Sequence, residues 1–260
     1  MLDSRRLYPS PEVGNQPPLI KQMPSSIRLI TYLDLDTFKI HPCSIKVPHN
    51  HKQCQFYHYP KDRKRPGFQY STDLCEYIER EQECAYGESC PKSHNRVEQL
   101  YTPNKYKMRF CSYYPNNLSK CEYGDFCSFA HNENEISIDL IHHYEYDDDF
   151  YVFHYKTIWC PFNQSKHDKS VCVYAHNWQD FRRKPQQYKY DPMPCLNWKT
   201  KDYVTNYEDG CKFTLNCDKC HGWKEFDYHP LNYRTKPCGN GVNCQKKREC
   251  TYFHSENEKR

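Results

Sequence analysis

The sequence predicts a mostly irregular fold with short helices, built as six repeats in two groups of three. Three observations lead to this fold class: a small apolar inventory, a large number of cysteines, and a four-residue ligand pattern that recurs along the chain. Leu, Ile, Val and Phe supply 44 of the 260 residues, whereas the chain contains 24 Tyr and 17 Cys. Such a composition argues against an ordinary large hydrophobic core.

Helices in this chain are expected to be short, and none is expected to cross a membrane. The sequence has only three Ala but 18 Pro, which leaves little material for long helices. No window approaches the roughly 18 unbroken apolar residues of a membrane span. We therefore expect a soluble chain without a membrane partner.

The 17 cysteines require disulfides, bound metal or burial as small apolar side chains. The N-terminal stretch MLDSRRLYPSPEVGNQPP lacks the apolar segment of a secretory signal, which favours a reducing compartment. The odd number of cysteines also disfavours complete disulfide pairing. Metal binding is the interpretation that the spacing of the cysteines supports.

Six groups of Cys and His each contain four candidate ligands and end in Cys-x3-His. Zinc prefers four tetrahedral thiolate or imidazole ligands in a closed structural site, so we expect six structural Zn²⁺ ions. For the same reason we expect no enzymatic activity, no catalytic residues and no small-molecule substrate. The six fingers, in chain order, are Cys43-His49-Cys54-His58, Cys75-Cys84-Cys90-His94, Cys111-Cys121-Cys127-His131, Cys160-His167-Cys172-His176, Cys195-Cys211-Cys217-His221 and Cys238-Cys244-Cys250-His254.

The spacing divides these fingers into a first triplet (43–131) and a second triplet (160–254). A closing His and the next opening Cys are 17 or 19 positions apart, except across 132–159, where the interval is 29. Each triplet starts with a finger that has His in second place, which indicates duplication of a three-finger module. The predicted organisation is a flexible arm at 1–30, a first three-finger cluster at 31–131, an acidic linker at 132–154, a second cluster at 155–254 and a tail at 255–260.

Charge follows the same division. The net charge is +3 over 43–131 and +6 over 160–254, but −6 over 132–159, which contains one Lys and seven Asp and Glu residues. Such an acidic connector is unsuited to lie along a polyanion. We expect either a spacer or a packed bridge, in which Ile136, Ile138, Leu140 and Ile141 form a short amphipathic element.

Three ligand assignments have an alternative. His49 and His167 are interpreted as ligands, although either could be an exposed residue. His49 is preferred to His51 because only His49 reproduces the four-residue interval found after His167. Cys220 directly precedes His221, and we expect it to be a buried small side chain rather than an alternative ligand.

The loop between the second and third ligands requires a tight bend. In CAYGESC and CEYGDFC, Gly87 and Gly124 can adopt the positive φ that such a bend needs. Structural zinc contributes about 10–16 kcal/mol in small finger peptides, enough to fold a unit of about 25 residues that has almost no core. Metal is therefore expected to replace the missing hydrophobic interior.

An aromatic residue lies five positions before every opening cysteine. In four fingers a basic residue follows it, and the same four carry an aromatic inside the Cys-x3-His loop. Rings beside scattered cations are typical of single-stranded nucleic-acid sites, where bases stack and phosphates meet the cations. The alternative is that each ring before a cysteine packs on its own zinc site. The candidate RNA-binding residues are Phe38, Lys39, Phe56, Tyr106, Lys107, Phe129, Tyr155, Lys156, Tyr174, Tyr233, Arg234 and Tyr252.

Two further basic clusters lie between fingers. KDRKR at 61–65 and RRK at 182–184 are interpreted either as phosphate contacts or as solvated linker charge.

The array resembles the CCCH zinc-finger proteins, and YKTIWC and YRTKPC are similar to the leader of the tristetraprolin type. The resemblance is closer to the Unkempt family, which has six such fingers in two clusters of three. Shared features are the His-x4-Cys-x3-His opening finger, a fifth finger ending in CDKCH, and FDYHPLNYRTKPC before the sixth. Plant arginine-rich tandem CCCH proteins look similar over 43–58 and 228–254. His167 departs from the family, whose fourth finger usually has a third cysteine there.

The resemblance implies cytoplasmic mRNA binding through short U- and A-containing motifs and translational control, while a nuclear location stays open. Translation or mRNA-decay proteins would be further partners. The leading hypothesis is a non-enzymatic, sequence-selective binder of single-stranded RNA that acts in post-transcriptional regulation. The alternative is a scaffold whose fingers bind another protein.

Overall fold

A computed structural model describes residues 33–163, 166–198 and 207–260, and residues 34–260 form one compact unit. The arm predicted at 1–30 lies outside the described residues. Within the described ranges no helix has the length and apolarity needed to cross a bilayer.

Regular structure is sparse and short, as the composition predicts. The strands pair in parallel, β1 with β2 and β3 with β4. The helices are α1 (Glu76–Glu79), α2 (Arg96–Leu100), α3 (Asp148–Phe153), α4 (Tyr207–Gly210) and α5 (Gly222–Asp227), and the strands are β1 (Ser71–Leu74), β2 (Lys92–Ser93), β3 (Asp191–Pro194) and β4 (Lys219–Cys220). Short 3₁₀ turns cover His51–Gln53, Pro60–Asp62, Gly87–Ser89, Leu118–Lys120, Gly124–Phe126, Ile141–His143, Thr214–Asn216, Gly241–Asn243, Lys247–Glu249 and Glu256–Glu258.

Every finger is closed by the same backbone bridge. The residue before the opening cysteine pairs with the residue before the closing histidine, as Pro42 does with Tyr57 and Leu74 with Ser93. The N–H of the opening cysteine donates to that partner's carbonyl at 2.8 to 3.0 Å in all six fingers. This bridge places the first and last ligands of a finger side by side.

The tight bend between the second and third ligands has the predicted geometry. Gly87 and Gly124 have φ of 48° and 51°, which confirms the expectation for both. Fingers five and six make the same bend with Thr214 and Lys247, at φ of 49° and 44°. Side chains other than glycine are strained in this region, so these two fingers carry a conformational cost that fingers two and three avoid.

Aromatic rings join the first and third fingers of each triplet. Phe38 packs against Tyr101 with ring centroids 4.3 Å apart, and the Tyr101 hydroxyl donates to the carbonyl of Phe126 in finger three at 2.6 Å. In the second triplet Tyr155 packs against Tyr228 at 4.9 Å, and the Tyr228 hydroxyl donates to the corresponding carbonyl of finger six at 2.8 Å. In each triplet the first and third fingers are thus packed together rather than independent.

A buried arginine holds each middle finger. Arg65 Nε and Nη2 donate to the two oxygens of Glu98 at 2.7 and 2.8 Å, and Arg183 makes the same pair of bonds to Glu225 at 2.9 and 2.6 Å. Both arginines also donate to backbone carbonyls of the middle finger, and all four side chains are nearly inaccessible to solvent. Such bidentate buried pairs need good geometry to offset desolvation, and this one has it.

The residue before each arginine is buried as well. Lys64 donates to the carbonyl of Leu35, while Arg182 donates to four carbonyls at 2.8 Å each and is fully buried. Both interpretations of these clusters, phosphate contact and solvated charge, are therefore wrong for Lys64, Arg65, Arg182 and Arg183. Their cations instead satisfy the carbonyls of irregular backbone.

The acidic connector is a packed bridge, not a spacer. Ile141 is fully buried, and α3 places Phe150, Tyr151 and Val152 in a core with Tyr228 and other rings of the second triplet. Asp147 caps α3 by accepting the N–H of Phe150 at 2.7 Å. Because α3 lies against the second triplet, the predicted linker at 132–154 supplies part of that triplet's core.

Candidate metal centres and nucleic-acid interface

The predicted ligands of the first five fingers converge. In each finger four ligand atoms lie within 4.8 Å of one another, and the groups are those predicted, with His49 in finger one and His167 in finger four. In finger six the sulfur atoms of Cys238 and Cys250 are 3.8 Å apart, and hydrogen bonds from His254, Cys238 and Cys250 lower the pKa of Cys244 to about 6.

The spacing of the sulfur atoms fits tetrahedral zinc. Two thiolates about 2.3 Å from one zinc ion in tetrahedral geometry lie about 3.8 Å apart. The Sγ–Sγ distances are 3.8 Å for Cys43 and Cys54, 3.7 Å for Cys75 and Cys84, and 3.9 Å for Cys160 and Cys172. All 17 cysteines are free thiols, so disulfides do not account for this clustering.

The histidine nitrogens give an independent test of the fit. Nε2 of His94, His131 and His221 is buried without a hydrogen-bond partner among the described residues, although buried polar atoms are normally satisfied. In His221 the other ring nitrogen lies 2.7 Å from the Tyr207 hydroxyl. A zinc ion would take the open nitrogen while this outer partner orients the ring.

Burial sets the protonation state of two residues in finger five. It lowers the pKa of His221 to about 3, so the imidazole is neutral at physiological pH, as a metal ligand must be. It raises the pKa of Cys220 to about 12, and the Cys220 sulfur lies 3.2 Å from the carbonyl of Asp191. Cys220 is therefore placed as a buried thiol, in line with its expected role as a small side chain.

A carboxylate four residues after each closing histidine was missed by the sequence reasoning. In all six fingers this carboxylate accepts the backbone N–H of the histidine, at distances from 2.6 to 3.1 Å. This carboxylate could have been found in the sequence, because all six motifs extend to Cys-x3-His-x3-[Asp/Glu]. These residues are Asp62, Glu98, Glu135, Asp180, Glu225 and Glu258.

Comparison with known proteins agrees with this geometry. Residues 149–183, which contain finger four, match a family model described as AtC3H23-like, CCCH zinc finger. Finger four is thus similar to a CCCH zinc finger, and the Cys/His clusters of the other fingers also offer four ligands each. CCCH fingers bind zinc through such clusters.

Similar proteins come from plants. Zinc finger CCCH domain-containing protein 49 of Arabidopsis thaliana is 34% identical over 114 residues, which cover 44% of this chain and 29% of that protein. Zinc finger CCCH domain-containing protein 37 of Oryza sativa subsp. japonica is 33% identical over 115 residues, which cover 44% of this chain and 42% of that protein. The chain thus spans less than half the length of these relatives, and neither is named for an enzymatic activity.

Three lysines predicted to contact RNA serve the CCCH fingers instead. Lys39, Lys107 and Lys156 are buried, and their ammonium groups lie 2.7 to 3.0 Å from the carboxylates that follow the closing histidines of their own fingers. A buried, paired ammonium is not available to a phosphate. The prediction for these three is therefore corrected, because basic residues beside aromatics look alike in sequence whether they are exposed or buried.

The rings before the opening cysteines pack, as the alternative proposed. Phe38, Tyr155 and Tyr233 are 1%, 6% and 0% exposed. Tyr106 is half-buried beside Tyr101, and burial raises the pKa of Tyr106 to about 12. Phe38, Tyr155 and Tyr233 cannot offer an open face to a base, so the RNA-contact prediction is corrected for these three, while that for half-buried Tyr106 stays a prediction.

The in-loop rings divide. Tyr174 is only 1% exposed and its hydroxyl lies 2.7 Å from His142 Nδ1, so the stacking prediction for Tyr174 is corrected. Phe56 and Phe129 are half-buried, and Tyr252 is exposed. These three keep a face that a base could reach.

Exposed rings that the sequence reasoning passed over lie nearby. Three of them stand two residues after the second cysteine of a finger: Tyr86, Tyr123 and Phe213. Trp223 is 55% exposed with the ammonium groups of Lys224 and Lys246 5.1 and 5.7 Å from its ring. The repeated Cys-x-aromatic spacing was the available signal for the first three.

Proposed function

We propose that this protein binds single-stranded RNA, with six structural Zn²⁺ ions holding the fingers in shape. The observation that carries the proposal is the surface around Phe129. This half-buried ring borders two clefts of about 670 and 570 Å³, and both clefts are also lined by Arg96 and Leu100. A ring between two cation-lined clefts suits a strand whose bases stack while its phosphates follow the positive charge.

The residues that line the two clefts support this ligand. Rings of Tyr59 and Tyr123 line the first cleft, and the ammonium of Lys52 lies 5.6 Å from the Tyr123 ring. Lys105 and Arg109 line the second cleft. Short irregular fingers provide no recognition helix for a duplex major groove, so single strands are the better match.

Further features follow from the resemblance to the Unkempt family and are part of the proposal. They are mRNA as the target, selectivity for short U- and A-containing motifs, post-transcriptional control in the cytoplasm, and two RNA-binding clusters joined by the acidic segment. Two linked clusters would bind more tightly than either alone, because the second contact is intramolecular.

Replacing Phe129 by Leu tests the proposal. Leu keeps an apolar side chain against the finger-three zinc site but removes the aromatic face. Because stacking is worth about 1–3 kcal/mol per base, we expect RNA affinity to fall about 5- to 150-fold in an anisotropy titration with mixed-sequence single strands. Tyr77→Ala, which removes an exposed ring that does not line either cleft, is the matched control. Equal affinity of F129L and the unaltered protein would refute the role of Phe129.

Salt dependence separates RNA binding from the scaffold alternative. If phosphates are contacted, log K falls linearly with log salt, by roughly 0.7 per phosphate on a single strand. A chain that acts only as a protein scaffold would bind no RNA even at low salt, where electrostatic attraction is strongest. Crosslinking and sequencing of bound RNA would then supply the preferred motif.

A further inference from the structure

Arg234 is the exception among the four basic residues that stand four positions before an opening cysteine. Lys39, Lys107 and Lys156 each pair with the carboxylate of their own finger. Arg234 Nη1 instead lies 2.8 Å from Asp148 in α3, and the finger-six carboxylate, Glu258, is paired with His254 Nδ1. The cation of finger six is thus held by the segment between the triplets.

A second ion pair joins the same two regions. Arg260 lies 2.6 Å from Asp149, the next residue of α3. Neither Asp148 nor Asp149 is needed to cap α3, because Asp147 performs that role. Both carboxylates are substantially exposed, so an incoming anion can compete with them for the two arginines.

The surface beyond Arg234 is a basic cleft. Arg234 and Arg248 line two neighbouring clefts, one walled by Asp147, Asp148 and Asp149 and the other, of about 520 Å³, lined also by Lys247. Arg248 forms no ion pair with any described residue, and Nε of Arg234 is buried without a partner. The same cleft is lined by one carboxylate, Glu258, and by the finger-six ligands Cys244 and His254, so its three cations leave an excess of positive charge that suits an RNA phosphate.

We propose that the cleft of Arg234, Lys247 and Arg248 takes an RNA phosphate, and that Asp148 and Asp149 compete with that phosphate for Arg234 and Arg260. This inference rests on the proposed function. Bound RNA would release the two ion pairs, so the acidic segment lowers the affinity of finger six for RNA that cannot displace it. Salt would weaken both the internal pairs and the RNA contacts.

The test is the double variant D148N/D149N. We expect it to bind a single-stranded RNA about three- to tenfold more tightly than the unaltered chain at low salt, with a salt slope steeper by about one unit. The matched control is E208Q/D209N, which removes two adjacent exposed carboxylates from the first turn of α4 that pair with no described cation. In an R234Q/R248Q background the tightening should disappear, with zinc content and tryptophan emission used to verify folding.

The outcomes distinguish the two proposals. RNA binding that does not change in D148N/D149N, or that tightens equally in E208Q/D209N, overturns the competition while leaving RNA binding intact. Absence of RNA binding by the unaltered chain at low salt refutes the proposed function and this inference with it. Tightening confined to D148N/D149N and lost with Arg234 and Arg248 supports the inference.

Discussion

Arg65 in the first triplet and Arg183 in the second make the same buried contacts, yet the surfaces around them differ. In the first triplet α2 presents Arg96 and Val97 to an open cleft. At the corresponding positions the second triplet has Trp223 and Lys224, and Lys224 is paired with Asp180. The contacts that hold zinc-bearing loops together are thus repeated, whereas the residues that could meet a ligand are not.

This difference shows how two similar triplets can share buried contacts and still present different residues to a ligand. Buried arginine, carboxylate and tyrosine groups are constrained, because replacing one partner leaves the other buried without a hydrogen bond, which costs folding free energy. Exposed positions on the same helices carry no such constraint. The first triplet keeps a cleft beside Arg96 and Phe129, while the second adds a ring core from α3 and pairs Arg234 with Asp148.

Removing zinc should produce the largest effect, because both triplets would unfold and the difference between their surfaces would be lost. Structural zinc supplies about 10–16 kcal/mol per finger peptide, so an excess of chelator is expected to unfold both triplets. All four Trp lie in the second triplet and its flank, and Trp198 stacks on His221 at 4.4 Å, so tryptophan emission reports on that half alone. Hydrogen exchange would follow both halves. Protection that persists in either triplet after chelation would contradict metal-dependent folding.

Breaking the buried arginine pairs comes next in size. Arg65→Met and Arg183→Met each leave a glutamate buried and unpaired, which we expect to cost about 3–5 kcal/mol in denaturant unfolding. The two losses should be similar, since the contacts are alike. Arg63→Met is the matched control: its pair with Glu88 is exposed, so the change should stay below about 1 kcal/mol. A small effect at Arg65 or Arg183 would show that the pair is dispensable.

Exchanging the bend residues sharpens the comparison of fingers two and five. Gly87→Thr should destabilise finger two by about 1–2 kcal/mol, because φ is positive there while open space surrounds the new side chain. Thr214→Gly should stabilise finger five by about 1 kcal/mol by relieving the same strain. Thermal unfolding monitored by zinc release would detect both. Shifts of the same sign would contradict the strain argument.

A difference in acid sensitivity is the smallest expected effect. His229 is buried, and burial lowers its pKa below the ordinary 6.5, whereas the first triplet has Thr102 at this position. The folded state therefore binds fewer protons than the unfolded state just below pH 6.5, so stability is full above that pH and falls as the pH drops. His229→Thr should flatten this loss by about 1 kcal/mol per pH unit at most. Denaturant titrations at pH 7 and pH 5.5 would measure it, and an unchanged slope would exclude His229 as a source.

The sequence predicts the ligand groups well because zinc demands fixed residue types at short spacing. The bends at Gly87 and Gly124 could also be predicted from the sequence, since glycine adopts positive φ without steric cost. The carboxylates after the closing histidines were visible too, as a fixed interval, but their role became clear only from the N–H groups they accept.

The basic residues mark the limit of this reasoning. Lys39 and Arg183 look like nucleic-acid contacts in a sequence, because charge beside an aromatic ring is the same pattern on a surface and in a packed turn. Their burial depends on a carboxylate, Asp62 or Glu225, that lies more than twenty positions away. The packed state of α3 likewise depends on partners about 75 residues further along the chain, such as Tyr228.

The segments that cross between fingers have a consequence for metal supply. The backbone N–H of Lys64 donates to the carbonyl of Lys39 beside finger one, while its neighbour Arg65 grips finger two. Emptying one site would therefore loosen the next, and uptake of the ions within a triplet should be cooperative. At limiting zinc, each triplet would then be either fully loaded and folded or empty and unfolded. The folded fraction would rise steeply over a narrow range of zinc concentration.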